Sequence, residues 1–298
     1  MLRLAGLCLM ILLPEGCLPG GAVEAVNQDP GCVWVVESPT TKLYLCGTIH
    51  LLRAKDYPLP STYQAAYADS QRLVFELPPG SGKGPGLGQK MAAAAAMDGG
   101  RTLYDVVDPA TRVAFEEWAK KRGMNPDVLK TYKPWYAAVM VAALEYQAAG
   151  AESGRGVDEY FDAKGARDGK PGQGLETVDQ QVNLFAQLSE AQQKELLEQT
   201  LAEAGKISGQ FEEMVTAWKT GDIESLNKML FEEAEKYPHL LDIFLNDRNA
   251  AWIAPLETML AGKDHVMVLV GTGHLGGEKG VVKLLTQKGY IVRQLGKE

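Results

Sequence analysis

Residues 266–295 read VMVLVGTGHLGGEKGVVKLLTQKGYIVRQL, and this stretch decides the fold class. The apolar run at 266–271 predicts a strand, residues 278–288 carry a helical pattern, and YIVRQL at 290–295 predicts a second strand. A strand, a helix and a strand in this order favour a parallel pair of strands joined by a right-handed crossover. The C-terminal part of the chain therefore predicts an α/β fold.

The N-terminal part supplies further strands. The segment VWVVESPTTKLYL, between Cys32 and Cys46, predicts a hairpin that turns near Pro39, and RLVFEL at 72–77 predicts another strand. Neither end of the chain has enough strands to bury a core alone. We therefore predict a single α/β (α+β) domain at 26–298, with a central mixed, largely parallel β-sheet that both chain ends form.

Helical patterns fill the middle of the chain. They predict helices that flank the sheet and a large helical insertion at about 90–262. The predicted helices lie at 61–70, 90–97, 110–122, 128–149 (with a kink or a start at Pro134), 154–169, 177–205, 208–220, 223–236 and 240–260.

The charge of the chain argues against one broad class of partner. The formal net charge is −8 at pH 7, and the basic residues form no cluster. A nucleic acid is therefore not expected as a partner. No segment after residue 25 reaches the ~18 uninterrupted apolar residues of a transmembrane helix. We expect a mature chain without a transmembrane helix and a peptide or small-molecule substrate.

Residues 1–25 predict an export signal. Arg3 precedes an apolar stretch of about ten residues, a Pro/Gly-rich segment follows, and small residues favour cleavage after Ala25. A lipoprotein signal that ends at Cys17 and an unprocessed apolar tail are the alternatives, although Pro14-Glu15-Gly16 is a poor approach to a lipidated cysteine. Export would place the mature chain in the periplasm or outside the cell.

Export would leave two cysteines, Cys32 and Cys46, in an oxidising compartment. The predicted hairpin would bring them almost opposite each other. Two outcomes stay open at this point. One is a disulfide bond, whose geometry cross-strand pairs often fit poorly, and the other is a pair of buried free thiols.

Two of the four histidines occupy nearly the same context. LCGTIHLL at 45–52 contains His50, and LVGTGHLG at 269–276 contains His274. Each follows an apolar strand, and Glu76 ends a third apolar strand. If these strands are parallel neighbours, the three side chains project from one edge of the sheet, where α/β sheets usually bind ligands. Two imidazoles and a carboxylate suit a divalent cation that keeps a place for water, so the pattern predicts a metal site.

Arg248 is a further candidate. It lies on a predicted helix whose apolar residues indicate partial burial, and a buried arginine needs a carboxylate partner. Glu76, Asp158 and Glu176 are the candidates for that partner. An exposed arginine that pairs with a helical neighbour, Asp247 or Glu257, is the alternative.

Glu176 precedes the polar helix start TVDQQ at 177–181. A carboxylate is favourable near a helix N-terminus in any case, so a structural role and a role in the site both stay open. The two remaining histidines, His239 and His265, lie in polar surroundings, and we predict that they face solvent.

Five segments together resemble the TraB/GumN family, which includes the Tiki membrane-anchored proteases and exported bacterial relatives. They are LYLCGTIHLL (43–52), LVFEL (73–77), GVDEYFDAKGARDGKPGQGLETVDQQVNLF (156–185), NDRNAAWIAPLETML (246–260) and VMVLVGTGHLGGEKGVVKLLTQKGY (266–290). The resemblance runs from about Cys32 to Leu295. It implies a fold related to erythromycin esterases and the haem-binding lipoprotein ChaN, with a central sheet, flanking helices and a helical insertion.

The resemblance also implies an activity and its residues. In the Tiki branch the activity is metal-dependent proteolysis, with manganese or cobalt. By motif, the functional positions of this sequence are His50, Glu76, Arg248 and His274. Asp158 and Glu176 match family elements whose role is less clear.

Together these observations predict an exported metal-dependent hydrolase of the Tiki type. His50 and His274 would bind a divalent cation (manganese, cobalt or zinc), with Glu76 as a third ligand or as the base. Arg248 would stabilise an oxyanion or hold a carboxylate, and Glu176 is the remaining catalytic candidate. Two alternatives stay open: a haem- or metal-binding protein without turnover, and metal-free hydrolysis with a histidine as general base.

Overall fold

The strands from both ends of the chain lie in one six-stranded sheet. The computed structural model describes residues 28–81, 86–231 and 236–297. The strands are β1 (Val33–Glu37), β2 (Lys42–Thr48), β3 (Arg72–Phe75), β4 (Gly172–Gly174), β5 (Val266–Gly271) and β6 (Ile291–Gln294), in the spatial order β4-β3-β5-β2-β1-β6. The predicted mixed sheet, shared by both chain ends, is confirmed. The predicted export signal lies outside the described residues.

Five of the six strands point the same way, so the sheet is largely parallel. β2 pairs with β5, β5 with β3, and β3 with β4 in parallel, whereas β1 is antiparallel to both of its neighbours, β2 and β6. The two strands of the C-terminal stretch, β5 and β6, are therefore parallel as predicted. They are not adjacent, because the N-terminal hairpin of β1 and β2 lies between them.

The central strands are the most deeply buried part of the sheet. Every residue of β5 is buried, which explains its continuous apolar sequence, since a strand covered on both faces has no polar side. In β2 only the first residue, Lys42, is partly exposed. Strand β6, at the edge of the sheet, alternates exposed and half-buried residues. The residues that follow β2, β3 and β5 are therefore attached to the well-packed centre of the sheet.

Helices make up most of the remaining chain. They are α1 (Ser61–Asp69), α2 (Gly86–Ala95), α3 (Leu103–Val106), α4 (Pro109–Lys121), α5 (Pro134–Ala148), α6 (Val157–Asp168), α7 (Val178–Ala186), α8 (Glu190–Glu203), α9 (Ile207–Lys219), α10 (Ile223–Phe231), α11 (Pro238–Leu241), α12 (Asp247–Leu260) and α13 (Val281–Gln287). Of the two alternatives at Pro134, a helix start is confirmed. Within the described ranges, no helix combines the length and the apolar character needed to cross a bilayer.

The single helix predicted at 177–205 is wrong. Helix α7 ends at Ala186, and α8 begins at Glu190 after Ser189. The Ser189 hydroxyl accepts a hydrogen bond from the backbone N–H of Gln192 at 3.3 Å, which is the role of an N-cap. The apolar period continues across this break through the buried Leu188, so periodicity alone cannot separate the two helices.

Strand β4 was not predicted, because GQG carries no apolar side chain. Both of its glycines lie against the prolines that follow β3. A Cβ atom on Gly172 would lie 2.5 Å from Cγ of Pro79, and one on Gly174 would lie 2.5 Å from the nitrogen of Pro78. Glycine is therefore needed for this close approach. The predicted insertion at 90–262 thus contributes one edge strand besides its helices.

Cys32 and Cys46 are free and buried. Cys46 lies opposite Val33 in the hairpin. Cys32 lies one position earlier, where a Cβ atom on Gly47 would be 3.1 Å from the Cβ of Cys32. Consecutive strand positions point to opposite faces, so the two thiols lie on opposite faces of the sheet. Of the two alternatives left open above, buried free thiols agree with the structure.

We predict that Cys32 and Cys46 stay unbridged in the purified protein. Alkylation after unfolding without reductant, followed by trypsin, should give the two cysteines as separate alkylated peptides, because the chain can be cut between them at Lys42. A disulfide-linked peptide pair that contains both residues would contradict the register of the hairpin.

Candidate functional site

Three neighbouring parallel strands bring His50, Glu76 and His274 to one edge of the sheet. β5 lies between β2 and β3. His50 follows β2 by two residues, Glu76 follows β3 directly, and His274 lies in a short 3-10 turn after β5. All three residues are buried. The structure thus brings the three predicted ligand residues together.

Gly271, the last residue of β5, is the point around which these side chains meet. A Cβ atom on Gly271 would lie 3.2 Å from Oε1 of Glu76, 3.4 Å from Nε2 of His50 and 3.6 Å from Cδ2 of His274. A side chain at this position would occupy the space that the three groups share. The glycine of the second Gly-Thr-x-His motif therefore keeps that space open.

His50 is paired with a second buried residue, Asp158. Nδ1 of His50 lies 2.7 Å from Oδ2 of Asp158. Gly156 packs against the carbonyl group of His50, and the N–H of Val157 donates to the carbonyl oxygen of Ile49 at 3.1 Å. These contacts bring the first turn of α6 beside the imidazole ring. Asp158 lies in that turn, where the helix dipole favours a carboxylate.

Asp158 keeps His50 in its charged form at neutral pH. Burial disfavours the imidazolium, but the charge and the hydrogen bond of Asp158, with help from the charges of Glu76 and Glu159, raise the pKa of His50 to about 9. The other oxygen of Asp158, Oδ1, is buried and has no hydrogen-bond partner among the residues that the structure describes. His50 is therefore the group that balances this carboxylate.

Glu76 is fixed through both of its oxygens. Oε1 accepts a hydrogen bond from the backbone N–H of Gly271 at 2.7 Å, and Oε2 accepts one from Nη2 of Arg248 at 2.6 Å. The amide nitrogen of Gln181 lies 3.4 Å from Oε2. The carboxylate is thus held by a cation on one side, and its other oxygen lies beside the two histidines.

Arg248 connects the parts of the site. Its Nε and Nη2 donate to Glu176 at 2.7 and 2.9 Å, and Nη2 also donates to Glu76. Its Nη1 donates to the carbonyl oxygen of Phe244 at 3.2 Å and to Nε2 of His274 at 3.0 Å. A guanidinium has five N–H groups, and these contacts use all five. In this arrangement Arg248 holds carboxylates and has no N–H group left for an oxyanion.

The alternative partners proposed for Arg248 are not the ones it uses. Arg248 pairs with Glu76 and Glu176, whereas Glu257 pairs with Lys288 and Asp158 pairs with His50. The arginine is 5% exposed, so the expectation of a buried arginine with a carboxylate partner is confirmed with two carboxylates rather than one.

Glu176 reaches the site because β4 pairs with β3. Its backbone N–H donates to the carbonyl oxygen of Glu76 at 2.9 Å and continues the strand pairing. Its carboxylate accepts hydrogen bonds from Arg248, from Nε1 of Trp252 at 3.0 Å and from the Gln181 amide at 3.1 Å. Of the two roles left open for Glu176, a place in the site agrees with these contacts.

A π-helical turn at Asp242–Asn246 precedes Arg248. Such a turn adds one residue to the helical path, and one residue rotates every later side chain by about 100° around the helix axis. The turn therefore decides which face of α12 carries Arg248 and its neighbour Asn249. The sequence pattern predicts a helix at 240–260 but does not reveal this insertion.

Asn249 decides which ring nitrogen of His274 carries the proton. Its Nδ2 donates to the carbonyl oxygen of Lys279 at 2.9 Å, so its Oδ1 faces Nδ1 of His274 at 2.6 Å. Nδ1 then carries the proton, and Nε2 accepts the hydrogen bond from Arg248. Burial, together with the charges of Arg248 and His50, holds the pKa of His274 well below its usual value. The two histidines of the site therefore differ in charge.

Three of these residues were missed in the sequence: Gln181, Asn249 and Trp252. Asn249 gives the one usable signal, since it directly follows Arg248 on an amphipathic helix where an asparagine is not otherwise expected to be buried. Gln181 and Trp252 read as ordinary helix residues, and only their contacts with Glu176 identify them.

The remaining histidines lie outside this group. His265 pairs with Asp69 at 2.9 Å, and its side chain is 30% exposed. His239 pairs with Glu195 at 3.0 Å, with 41% of its side chain exposed. Both side chains thus reach solvent, as expected, and both have a carboxylate partner.

The three predicted metal ligands suit a divalent cation in type, and the one spacing between them that can be stated fits. Two ligands at ~2.1 Å from one cation are at most ~4.2 Å apart, and Nε2 of His274 lies 3.9 Å from Oε1 of Glu76. Arg248, however, is hydrogen-bonded to both of these side chains. The described ranges hold no group of three or more His, Cys, Asp or Glu side chains arranged around a metal position. Metal binding stays a prediction.

We predict that Asp158→Asn lowers the pKa of His50 from about 9, because burial is then opposed only by the weaker contributions of Glu76 and Glu159. An NMR titration of the His50 ring measures this shift, and Asp69→Asn, which removes the partner of His265, is the matched control. An unchanged His50 titration in Asp158→Asn would show that the pair does not set its charge.

The raised pKa of His50 also predicts that the protein loses stability as the pH rises. Because folding raises the pKa of His50, its contribution to the free energy of unfolding is complete below pH 6.5 and disappears as the pH rises through about 9. Denaturant unfolding at several pH values should show this loss in the wild type and a much smaller one in Asp158→Asn. Equal losses in the two proteins would contradict it.

We predict that Arg248→Met destabilises the fold by about 3–5 kcal/mol, because Glu76 and Glu176 then become buried charges without a partner. Urea unfolding of the wild type and the variant measures the difference. Arg112→Met is the matched control, since Arg112 forms an exposed pair with Glu116, and its effect should be small. Equal effects of the two substitutions would contradict the contacts described for Arg248.

The sequence is similar to known proteins of one family. The sequence profile of the TraB/PrgY/gumN family matches residues 32–294. The chain is 22% identical over 242 residues to the uncharacterized protein YbaP of Escherichia coli (strain K12), which covers 81% of this chain and 87% of YbaP, and the YbaP of Shigella flexneri matches equally. No solved structure matches significantly. The family match includes both Gly-Thr-x-His motifs, Glu76, Glu176 and Arg248, and the chain belongs to the TraB/PrgY/gumN family.

Proposed function

We propose that this protein is a hydrolase that cleaves an ester or amide bond at the site around Gly271. One observation carries the proposal: a buried imidazole with a carboxylate partner, His50 with Asp158, lies beside a second buried carboxylate, Glu76. A carboxylate and a charged imidazole in the same place can supply the base and the acid that hydrolysis needs.

In the proposed reaction, Glu76 is the base. Its Oε1 accepts one backbone hydrogen bond, from Gly271, and has a further lone pair that can take a proton from an attacking water. Its other oxygen is held by Arg248, so the carboxylate cannot rotate away. The proton would pass to Oε1, the side that faces the two histidines.

His50 is the acid. With a pKa of about 9, its ring is charged at neutral pH, and Nε2 lies on the same side of Gly271 as Oε1 of Glu76. It would donate a proton to the leaving oxygen or nitrogen as the bond breaks. Asp158 keeps the ring in position through Nδ1 and stabilises its charge.

Arg248, Glu176 and His274 are positioning residues in this scheme. Arg248 fixes Glu76, Glu176 fixes Arg248, and neutral His274 accepts the Nη1 hydrogen bond. The oxyanion role expected for Arg248 as an alternative receives no support from these contacts, because all of its N–H groups are in use.

A metal-dependent form of the same reaction is the second candidate, and the spacing of 3.9 Å between Nε2 of His274 and Oε1 of Glu76 favours it. His50, Glu76 and His274 would then be the ligands. A bound manganese, cobalt or zinc ion would polarise the substrate carbonyl group and supply a more acidic water. Binding would require His50 to lose its proton and Arg248 to release His274.

A haem-binding function receives no support from the contacts of His274. Both of its ring nitrogens are hydrogen-bonded, one to Asn249 and one to Arg248, so the ring offers no lone pair to an axial position in this arrangement. Export to the periplasm or the medium remains part of the proposal, and the sequence of residues 1–25 supports it. A peptide is the first substrate to test because of the expected similarity to Tiki proteases.

We predict that Glu76→Gln and His50→Ala each lower hydrolysis by about 10²–10⁴-fold, the usual contribution of general acid–base catalysis. A panel of p-nitrophenyl esters and a mixed peptide library, with hydrolysis followed by absorbance and mass spectrometry, serves as the assay. His265→Ala is the control for a histidine outside the site and should keep full activity. Wild-type levels of hydrolysis in Glu76→Gln would overturn the proposed reaction.

Chelation separates the two forms of the proposal. If His50 is the acid, wild-type activity should survive dialysis against EDTA and should fall as the pH rises through about 9, because the imidazolium is lost. If the metal-dependent form is correct, EDTA abolishes the activity and manganese or cobalt restores it. Activity that survives EDTA but does not fall above pH 9 would contradict the acid role of His50.

A further inference from the structure

The guanidinium of Arg248 contacts side chains that, by the family resemblance, are expected to bind a metal ion. Nη1 lies 3.0 Å from Nε2 of His274, and Nη2 lies 2.6 Å from Oε2 of Glu76. These two side chains are two of the three expected ligands. One cationic side chain of the protein thus contacts both.

The hydrogen bond from Arg248 uses Nε2 of His274, the atom that a metal would need. Nδ1 of His274 is committed to Asn249 at 2.6 Å, so Nε2 carries the lone pair. That lone pair accepts the Nη1 hydrogen bond of Arg248. A nitrogen lone pair cannot accept a hydrogen bond and bind a metal at the same time.

Arg248 is held in place by groups other than the expected ligands. Glu176 accepts hydrogen bonds from Nε and Nη2, and the carbonyl oxygen of Phe244, in the π-helical turn, accepts one from Nη1. The guanidinium is therefore held near His274 by groups that are not expected metal ligands. Its charge also repels a second cation at this distance.

We propose that Arg248 and a divalent cation compete for His274 and Glu76, so that a cation binds these side chains only when Arg248 releases them. Arg248 acts as an internal cation of the site. Its removal leaves His274, Glu76 and Glu176 close together, with two carboxylates that have lost their hydrogen-bonded cation. This inference concerns metal binding alone and does not depend on the proposed reaction.

The test compares the affinity of the full chain for Co²⁺ between the wild type and Arg248→Ala. Titrations followed by visible absorption, with metal content measured after gel filtration, should give at least a tenfold tighter Kd for Arg248→Ala than for the wild type. The gain should disappear in the double variant Arg248→Ala/His274→Ala. Arg112→Ala, which removes an exposed arginine, should bind Co²⁺ like the wild type.

Several results would overturn the competition. They are equal or weaker Co²⁺ binding by folded Arg248→Ala, absence of binding by both proteins, and a gain that persists in the double variant. The folded state of each variant is checked by circular dichroism. Arg248→Lys, which keeps a charge but has only three donors on one nitrogen, should show a smaller gain than Arg248→Ala.

A measurement on the wild type alone decides the question if Arg248→Ala does not fold. In ¹⁵N NMR spectra, saturating Zn²⁺ should move the His274 Nε2 signal and, at the same concentration, release the slowly exchanging Nη protons of Arg248. If Zn²⁺ moves the His274 signal while the Arg248 protons stay protected, or moves neither, the proposed competition is wrong. These outcomes are independent of hydrolysis.

Discussion

The site depends on one buried guanidinium. Arg248 uses each of its five N–H groups, and the acceptors come from four separate parts of the chain: Glu76 after β3, Glu176 after β4, Phe244 in the π-helical turn, and His274 after β5. A charge this deeply buried is tolerated only because two carboxylates balance it. The requirement also acts in the other direction, since the carboxylates need the arginine. The sheet edge and helix α12 are thereby fixed relative to each other.

The two motif histidines have the same local sequence but different chemistry. His50 faces Asp158 and is charged near neutral pH, whereas His274 faces Asn249 and Arg248 and is neutral. Asp158 raises the pKa of His50, whereas burial and the charges of Arg248 and His50 lower the pKa of His274, whose Nδ1 faces an uncharged asparagine. The motif therefore places a ring at a strand end, and the helix that packs against that ring decides its proton affinity.

This distinction explains how much could be predicted from the sequence. Apolar strands that end in His50, Glu76 and His274 predict a shared sheet edge, because the carboxyl ends of parallel strands lie together. The partners of these residues come from elements whose packing has no local signal. Asp158 reaches His50 because Gly156 allows close contact with the β2 end, and Glu176 reaches Arg248 because the two glycines of β4 fit against Pro78 and Pro79.

The same limit applies to the helices. The break at Ser189 and the π-helical turn before Arg248 leave the apolar period nearly intact, so a reading by periodicity gives longer and straighter helices than the fold contains. The turn matters more than the break, because it orients both Arg248 and Asn249 towards His274. A helix without it would carry the same residues on a different face.

The most direct test of the account is the protonation state of the His274 ring. ¹⁵N NMR of the ring in the folded protein should show one neutral tautomer between pH 6.5 and pH 9, with the proton on Nδ1 and an unprotonated Nε2 that accepts a hydrogen bond. This result is required if Arg248 donates Nη1 to His274. A charged ring in that range, or a proton on Nε2, would contradict the arrangement on which the site is built.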